Sequence, residues 1–257
     1  MMKKTFLLLT IAALFASCGS ENSKKEGVQQ IDSAYYHKAE GPVECTVRAS
    51  LPVERLNQAV GEWLDEALGG LYPGDPTDIQ AIADYYGKAM TDTLTNWAND
   101  PDLPDFATRE LAFEARMEYA YETNEFVTYT LTTYTDLGGA HPTSTSQGAT
   151  FRKKDGRRVD WNMIASHYGY KFQELLKDSL MEYFGADTDE ELSENLLDTN
   201  IYNIPYPKTP PYFLEDGIAV IYQQYEIAPY AFGMPNFLLA YEESKPLMTG
   251  WAKRMLK

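Results

Sequence analysis

Three histidines are the first place to look for acid–base or metal chemistry in this chain, and their settings favour neither. His37, His141 and His167 fall in separate segments, so no two share one element at the spacing with which histidines grip zinc. The serine nucleophile elbow, the phosphate-binding loop and the glycine fingerprint of dinucleotide sites are all missing. His141 follows Gly138-Gly139-Ala140, which superficially resembles an oxyanion loop, but without a nucleophile elbow its expected role is a turn residue whose imidazole binds local backbone. Neither a metal nor any other cofactor is expected. Acid pairs such as Glu215 with Asp216, or Asp187 with Asp189, could be drawn as the carboxylates of a glycan hydrolase. A chain with 38 acidic residues produces such pairs by chance, and their expected place is a solvated face. The 19 tyrosines carry more information, because a tyrosine ring offers a large contact area with a polar tip. Tyr35-Tyr36, Tyr85-Tyr86 and the run from Tyr202 to Tyr212 could form a platform for sugars or a protein partner, or pack as half-buried aromatics.

Cys18 is the residue with the most definite expected chemistry. Lys3 and Lys4 precede an apolar run from Phe6 to Phe15, and Ala16-Ser17 stand before the cysteine, which is the order of a lipoprotein signal. Residues 1–17 are therefore expected to be removed and Cys18 to become an acylated N-terminus, with residues 18–34 as a polar tether. Gly19 after the cysteine gives no inner-membrane retention signal, so the expected location is the outer membrane, facing the periplasm or the cell surface. Without residues 1–17 the 22 basic residues fall to 20 against 38 acids, a formal charge of −18. Such a body repels nucleic acid and attracts cationic proteins. Cys45 is left without an intramolecular partner; in phase with Val43 and Val47, it is expected to be a small buried hydrophobe.

The elements that must position these residues follow from periodicity. Val43 to Leu51 alternates as a strand, Leu56, Val60, Leu64 and Leu68 repeat as a helix stopped by Gly69-Gly70, and Thr77 is placed to cap a helix through Trp97. From Arg109 the period is two, giving a strand to Tyr121 that turns at Thr123-Asn124-Glu125 into another ending at Thr135. A third strand runs from Thr145 to Lys153 and turns at Asp155-Gly156 into Arg157–Asp160. A helix carries Phe172 to Tyr183, an acidic short helix follows within Asp187–Asp198, strands cover Ile218–Tyr225 and Phe237–Tyr241, and a helix closes the chain over Glu242–Leu256. Segregated helices and hairpins imply an α+β fold: antiparallel sheet hairpins packed with helices in two closely joined subdomains, residues 35–105 and 106–257.

Two stretches go beyond composition: Tyr134-Thr-Asp-Leu-Gly138-Gly139-Ala-His141-Pro142 and Tyr225-Glu-Ile-Ala-Pro229-Tyr230-Ala-Phe-Gly233. With Phe151–Val159 and Tyr212–Ile218 between them, they resemble the extracytoplasmic domain of the RsiV and PdaC proteins, a domain of unknown function of the 3298 type. The resemblance covers roughly Tyr36 to Leu256 and implies an α+β fold of two subdomains. It makes Tyr134, Gly138, Gly139, His141, Tyr225, Pro229, Tyr230 and Gly233 structural or ligand-binding signatures rather than catalytic groups. RsiV-like proteins carry a sigma-binding segment and a membrane span where this chain has a lipoprotein signal, and PdaC-like proteins carry a deacetylase domain, so neither named activity is expected to transfer. In RsiV the domain is a lysozyme receptor, which implies an envelope-facing binding module whose partner is a cationic, lysozyme-like protein or peptidoglycan. A carboxylate-dependent glycan or cell-wall hydrolase is the alternative expectation.

Overall fold

The computed structural model describes residues 33–53, 55–100, 102, 110–166 and 169–256. Cys18, the signal segment, most of the tether, His167 and the expected subdomain boundary at 105/106 lie outside them. The first layer is a five-stranded sheet of β1 (Ser33–Glu40), β2 (Val43–Ser50), β3 (Leu111–Glu122), β4 (Phe126–Asp136) and β5 (Thr143–Arg152), ordered as numbered. Gly41 makes the β1–β2 turn at φ 58°, a conformation that suits glycine. Ser33 and Ala34, read as tether, already belong to β1, whose pairing partner and helix cover cannot be seen from so polar a segment.

Helices α1 (Asn57–Leu68) and α2 (Ile79–Ala98) lie between β2 and β3 in sequence, and the crossover returns the chain so that β2 and β3 run parallel, from Val43 beside Leu111 to Ala49 beside Met117. The sheet is thus mixed, where the hairpins alone implied antiparallel pairing throughout. One face alternates inward through Val43, Cys45, Val47 and Ala49, then Leu111, Phe113, Ala115 and Met117, and packs against Val60, Leu64, Ile82 and Leu94 of the two helices. Cys45 is fully buried there, as its phase predicts, and burial pushes its thiol pKa up. Glu44, Arg48, Arg116 and Glu118 stand exposed on the opposite face. Asp78, not Thr77, caps α2 by accepting the Ala81 N–H at 2.9 Å; Thr77 instead donates its own N–H and hydroxyl to Asp75.

The second layer is built from α3 (Gly169–Phe184), α4 (Asp189–Asn195), β6 (Tyr212–Phe213), β7 (Gly217–Ile221), β8 (Asn236–Ala240), α5 (Tyr241–Ser244) and α6 (Gly250–Met255). Strands β6, β7 and β8 form an antiparallel sheet in that order. Phe172, Leu176, Leu180, Phe213, Ile218, Tyr222 and Leu239 make its core, and Phe126 of β4 joins them. Pro246 sits in a short 3-10 turn that breaks the expected closing helix into α5 and α6, because proline has no N–H to continue it. After the Gly156 turn only a single bridge, Phe151 to Arg158, forms where a strand was expected.

The two layers meet at a closed triangle of hydrogen bonds made by two buried hydroxyls and the Phe213 backbone. Thr150 Oγ1 accepts the Phe213 N–H at 2.7 Å, so its own proton goes to Thr128, whose hydroxyl in turn donates to Phe213 O at 2.7 Å. Beside it the Tyr212 ring lies flat on Gly148, where a Cβ would sit 2.5 Å from ring carbons. β1 and β2, before residue 105, and β3, β4 and β5, after it, share one sheet. The architecture is α+β, with a mixed five-stranded and an antiparallel three-stranded sheet.

Candidate functional site

The loop from β4 to β5 and the loop from β7 to β8 come together, and with them the two sequence stretches separated by more than eighty residues. His141 stacks on Tyr230 with ring centroids 3.7 Å apart and planes 20° apart. Its Nδ1 lies 3.1 Å from Pro142 O, an atom that only accepts, so Nδ1 carries a proton, and in the neutral ring Nε2 accepts the Tyr225 hydroxyl at 3.2 Å. Tyr230 donates to the same Pro142 carbonyl at 3.0 Å, which uses both lone pairs of that oxygen. Tyr134, on β4, donates to Asp136 Oδ2 at 3.4 Å while Gly138 N–H holds Asp136 Oδ1 at 2.8 Å. Partial burial, then the Asp136 charge, raises the Tyr134 pKa, and Tyr230 adds to the same shift.

Backbone demands explain several of the other signature residues. Gly138 adopts φ 70° and Gly233 φ 71°, which a side chain would strain. Pro229 precedes a 3-10 turn over Tyr230–Phe232 that Gly233 closes with its N–H on Tyr230 O at 2.9 Å. Gly139 touches nothing within 4 Å of a built Cβ, so no close approach requires glycine there. Tyr225 is the exception in the set: it takes φ 61° without being glycine, at a cost of about 1–2 kcal/mol. It is the third residue of a turn closed by Glu226 N–H to Gln223 O at 3.1 Å.

The Tyr225 loop is docked on the open edge of β5 by side chains that imitate a strand. Gln224 Oε1 accepts the Ser144 N–H at 3.0 Å, and Gln223 pairs with Ser146 through both its Oε1 and its Nε2, at 3.1 and 2.7 Å. Glu226 fixes the loop from behind by accepting the N–H groups of Gln223 and Lys208 at 2.7 and 2.6 Å. Asp136, Gln223, Gln224 and Glu226 were not singled out by sequence reasoning. Asp136 had a usable signal, an aspartate two residues before a glycine, the pattern of a side-chain-closed turn. The glutamines had none, because a side chain standing in for a strand leaves no periodicity.

Among the described residues no carboxylate bonds His141, and its Nε2 meets a phenol rather than a serine or cysteine, so these residues do not form a nucleophilic triad. Among the described residues no cluster of three His, Cys, Asp or Glu could hold a metal ion. A hollow of about 590 Å³ between β1 and α2 is lined by Tyr36 and by paired charges, Lys38 with Glu40 and Lys88 with Asp92, and none of the signature residues reaches it. What the cluster offers instead is surface: Tyr225 is 56% and Tyr134 37% exposed, and His141 is exposed as well.

Residues 162–242 match the family described as "Protein of unknown function (DUF3298)", a span that includes the Tyr225–Gly233 stretch and begins after Tyr134–Pro142, which it leaves out. No curated protein matches the chain in sequence. Among solved structures, a DUF3298 family member from Bacteroides fragilis is similar at 16% identity and a TM-score of 0.66, covering 90% of this chain and 99% of that one. A DUF3298 family protein from Pseudomonas aeruginosa is similar at 12% identity and a TM-score of 0.61, covering 87% and 97%. At such identities the likeness is one of fold. This chain therefore carries a DUF3298 match over residues 162–242 and folds as solved members of that family do.

Proposed function

We propose that this chain is a non-enzymatic, lipid-anchored cell-envelope binding protein, held in the outer membrane through acylated Cys18, whose ligand is a lysozyme-like cationic protein or peptidoglycan. The observation that carries the reading is the joining of the two signature stretches into one exposed aromatic surface in which the single histidine is fully hydrogen-bonded. A site built in this way presents contact area. The lipoprotein signal supports the location, and a formal charge of −18 supports attraction of cationic partners from the envelope. The hydrolase alternative has no comparable support. Of the acid pairs named above, Asp189 is taken up by Lys177 at 2.6 Å.

Titration of the mature protein with lysozyme and with muropeptides, at low and at moderate salt, tests the reading. Saturable binding to one of them is expected, and lysozyme binding should weaken with salt as surface charges are screened. Failure to bind either at high micromolar concentration contradicts it.

A further inference from the structure

We infer that the Tyr225–His141–Tyr230–Tyr134 cluster is a saccharide-stacking site that takes a pyranose ring of a glycan strand. The inference rests on the binding reading above and chooses the glycan over the cationic protein.

The tyrosines of this protein fall into two kinds. One kind holds loops: Tyr222 donates to Pro205 O at 2.8 Å, Tyr241 to Leu214 O at 2.7 Å and Tyr183 to Phe232 O at 2.6 Å. Tyr230 belongs to that kind, since its hydroxyl on Pro142 O and its stacking on His141 already fix the β4–β5 loop. Tyr225 does not. It stands more than half exposed on a backbone that favours glycine, and a residue placed for stability would be neither strained nor in water. What the strained conformation achieves is position: the Tyr225 ring is held 5.7 Å from Tyr230 and 6.2 Å from His141, tilted 33° and 35° to them. The hydrogen bond to His141 Nε2 fixes that ring before any ligand arrives.

The chemistry around the rings suits a sugar. A pyranose has a C–H face that lies flat on an aromatic ring and equatorial hydroxyls that seek polar groups at its rim. At the start of the same loop stand the Tyr134 hydroxyl and the Asp136 carboxylate, which Gly138 N–H anchors and Tyr134 contacts only weakly at 3.4 Å, leaving it able to accept from sugar hydroxyls. The nearby glutamines are committed to the edge of β5 and keep the Tyr225 loop rigid.

The test is the affinity of the whole mature chain for a β-1,4-linked tetramer of N-acetylglucosamine, measured by calorimetry for the native protein and for Tyr225→Gly, His141→Ala, Tyr134→Ala and Tyr170→Ala. Tyr225→Gly keeps the turn, because glycine accepts its φ, and should weaken binding about tenfold or more, a loss of one good contact. Tyr134→Ala and His141→Ala should weaken it as well, and they carry the test should the glycine variant fail to fold. Tyr170, exposed on α3, is the control and should leave affinity unchanged. Unchanged affinity in the three cluster variants overturns the site while leaving the envelope-binding reading intact. Binding to lysozyme with none to the tetramer or to muropeptides overturns the saccharide assignment alone. Absence of binding to all three overturns both.

Discussion

The two layers of this molecule solve the same problem in different ways. In the first, residues 33–152, long strands satisfy their backbone groups in ladders, and one alternating face supplies the core. In the second, residues 153–256, strands are short and prolines frequent, so loop carbonyls are satisfied by side chains instead: Trp161 Nε1 donates to Pro207 O at 2.8 Å, Tyr222 to Pro205 O, Tyr241 to Leu214 O and Gln173 to Ile204 O at 2.9 Å. The difference teaches what tyrosine abundance is for. Where ladders end, a ring that packs and a hydroxyl that reaches a carbonyl together replace regular structure. Against that background an exposed, strained tyrosine such as Tyr225 stands out as one with other work.

The comparison can be broken most severely where the layers join. Phe213→Ala removes a fully buried ring from the second core and should cost about 3–5 kcal/mol in chemical denaturation, with the hydroxyl triangle at its backbone loosened too. A loss below 1 kcal/mol, on the order of a surface change, would mean that the layers do not depend on this joint. Gly148→Ala should cost about 1–3 kcal/mol by driving a methyl group into the Tyr212 ring, and normal stability would show the ring free to move aside. Tyr222→Phe should cost about 0.5–1.5 kcal/mol by removing the donor to Pro205 O, whereas exposed Tyr202→Phe should be silent; equal effects would refute the stapling role.

Alkali sharpens the contrast further. Burial first, then the neighbouring acid, pushes Tyr86 up to about 12, with its hydroxyl bonded to Asp65, and Tyr119 up to about 12 beside Glu122. Burial alone does the same for Tyr212, and burial raises Tyr222 and Tyr241 as well. Unfolded tyrosines ionise near pH 10, so the folded state holds more protons above that point. Stability from these groups is complete below about pH 10 and is lost as the pH climbs toward 12. Urea midpoints that stay constant across that range would contradict the burial of these hydroxyls. The smallest effect belongs to Tyr225→Gly, where relief of strain and the flexibility of glycine nearly cancel, so the thermal midpoint should not fall.

Much of the first layer was legible because one-sided burial writes itself as alternation: Val43, Cys45 and Val47 gave β2, and Leu111 through Tyr121 gave β3. The helix over Leu56–Leu68 was equally plain from its spacing and its glycine stop. The parallel pairing of β2 with β3 was not, since direction depends on where a two-helix crossover returns and no local pattern records that. Likewise β1 has only Ala34 fully buried, and its polar sequence looks like tether until β2 and α2 are in place. In the candidate site, both stretches were visible as unusual strings of Gly, His, Pro and Tyr, and the expected role of His141 as a residue bonded to local backbone matches its contact with Pro142 O. That the stretches face each other, and that Asp136 and the Gln223–Gln224 pair build the surroundings, arises only when the second layer closes on the edge of β5. The strain at Tyr225 has no sequence signal either, because a tyrosine gives no hint of a left-handed backbone.

An amide-resolved nuclear magnetic resonance titration of the mature chain with muropeptides tests most directly that the two loops form one ligand-facing surface. Shifts concentrated in residues 134–144 and 223–233, with the hollow between β1 and α2 silent, are the expected result. Saturable binding whose shifts fall elsewhere, or appear in one loop and leave the other untouched, would contradict it.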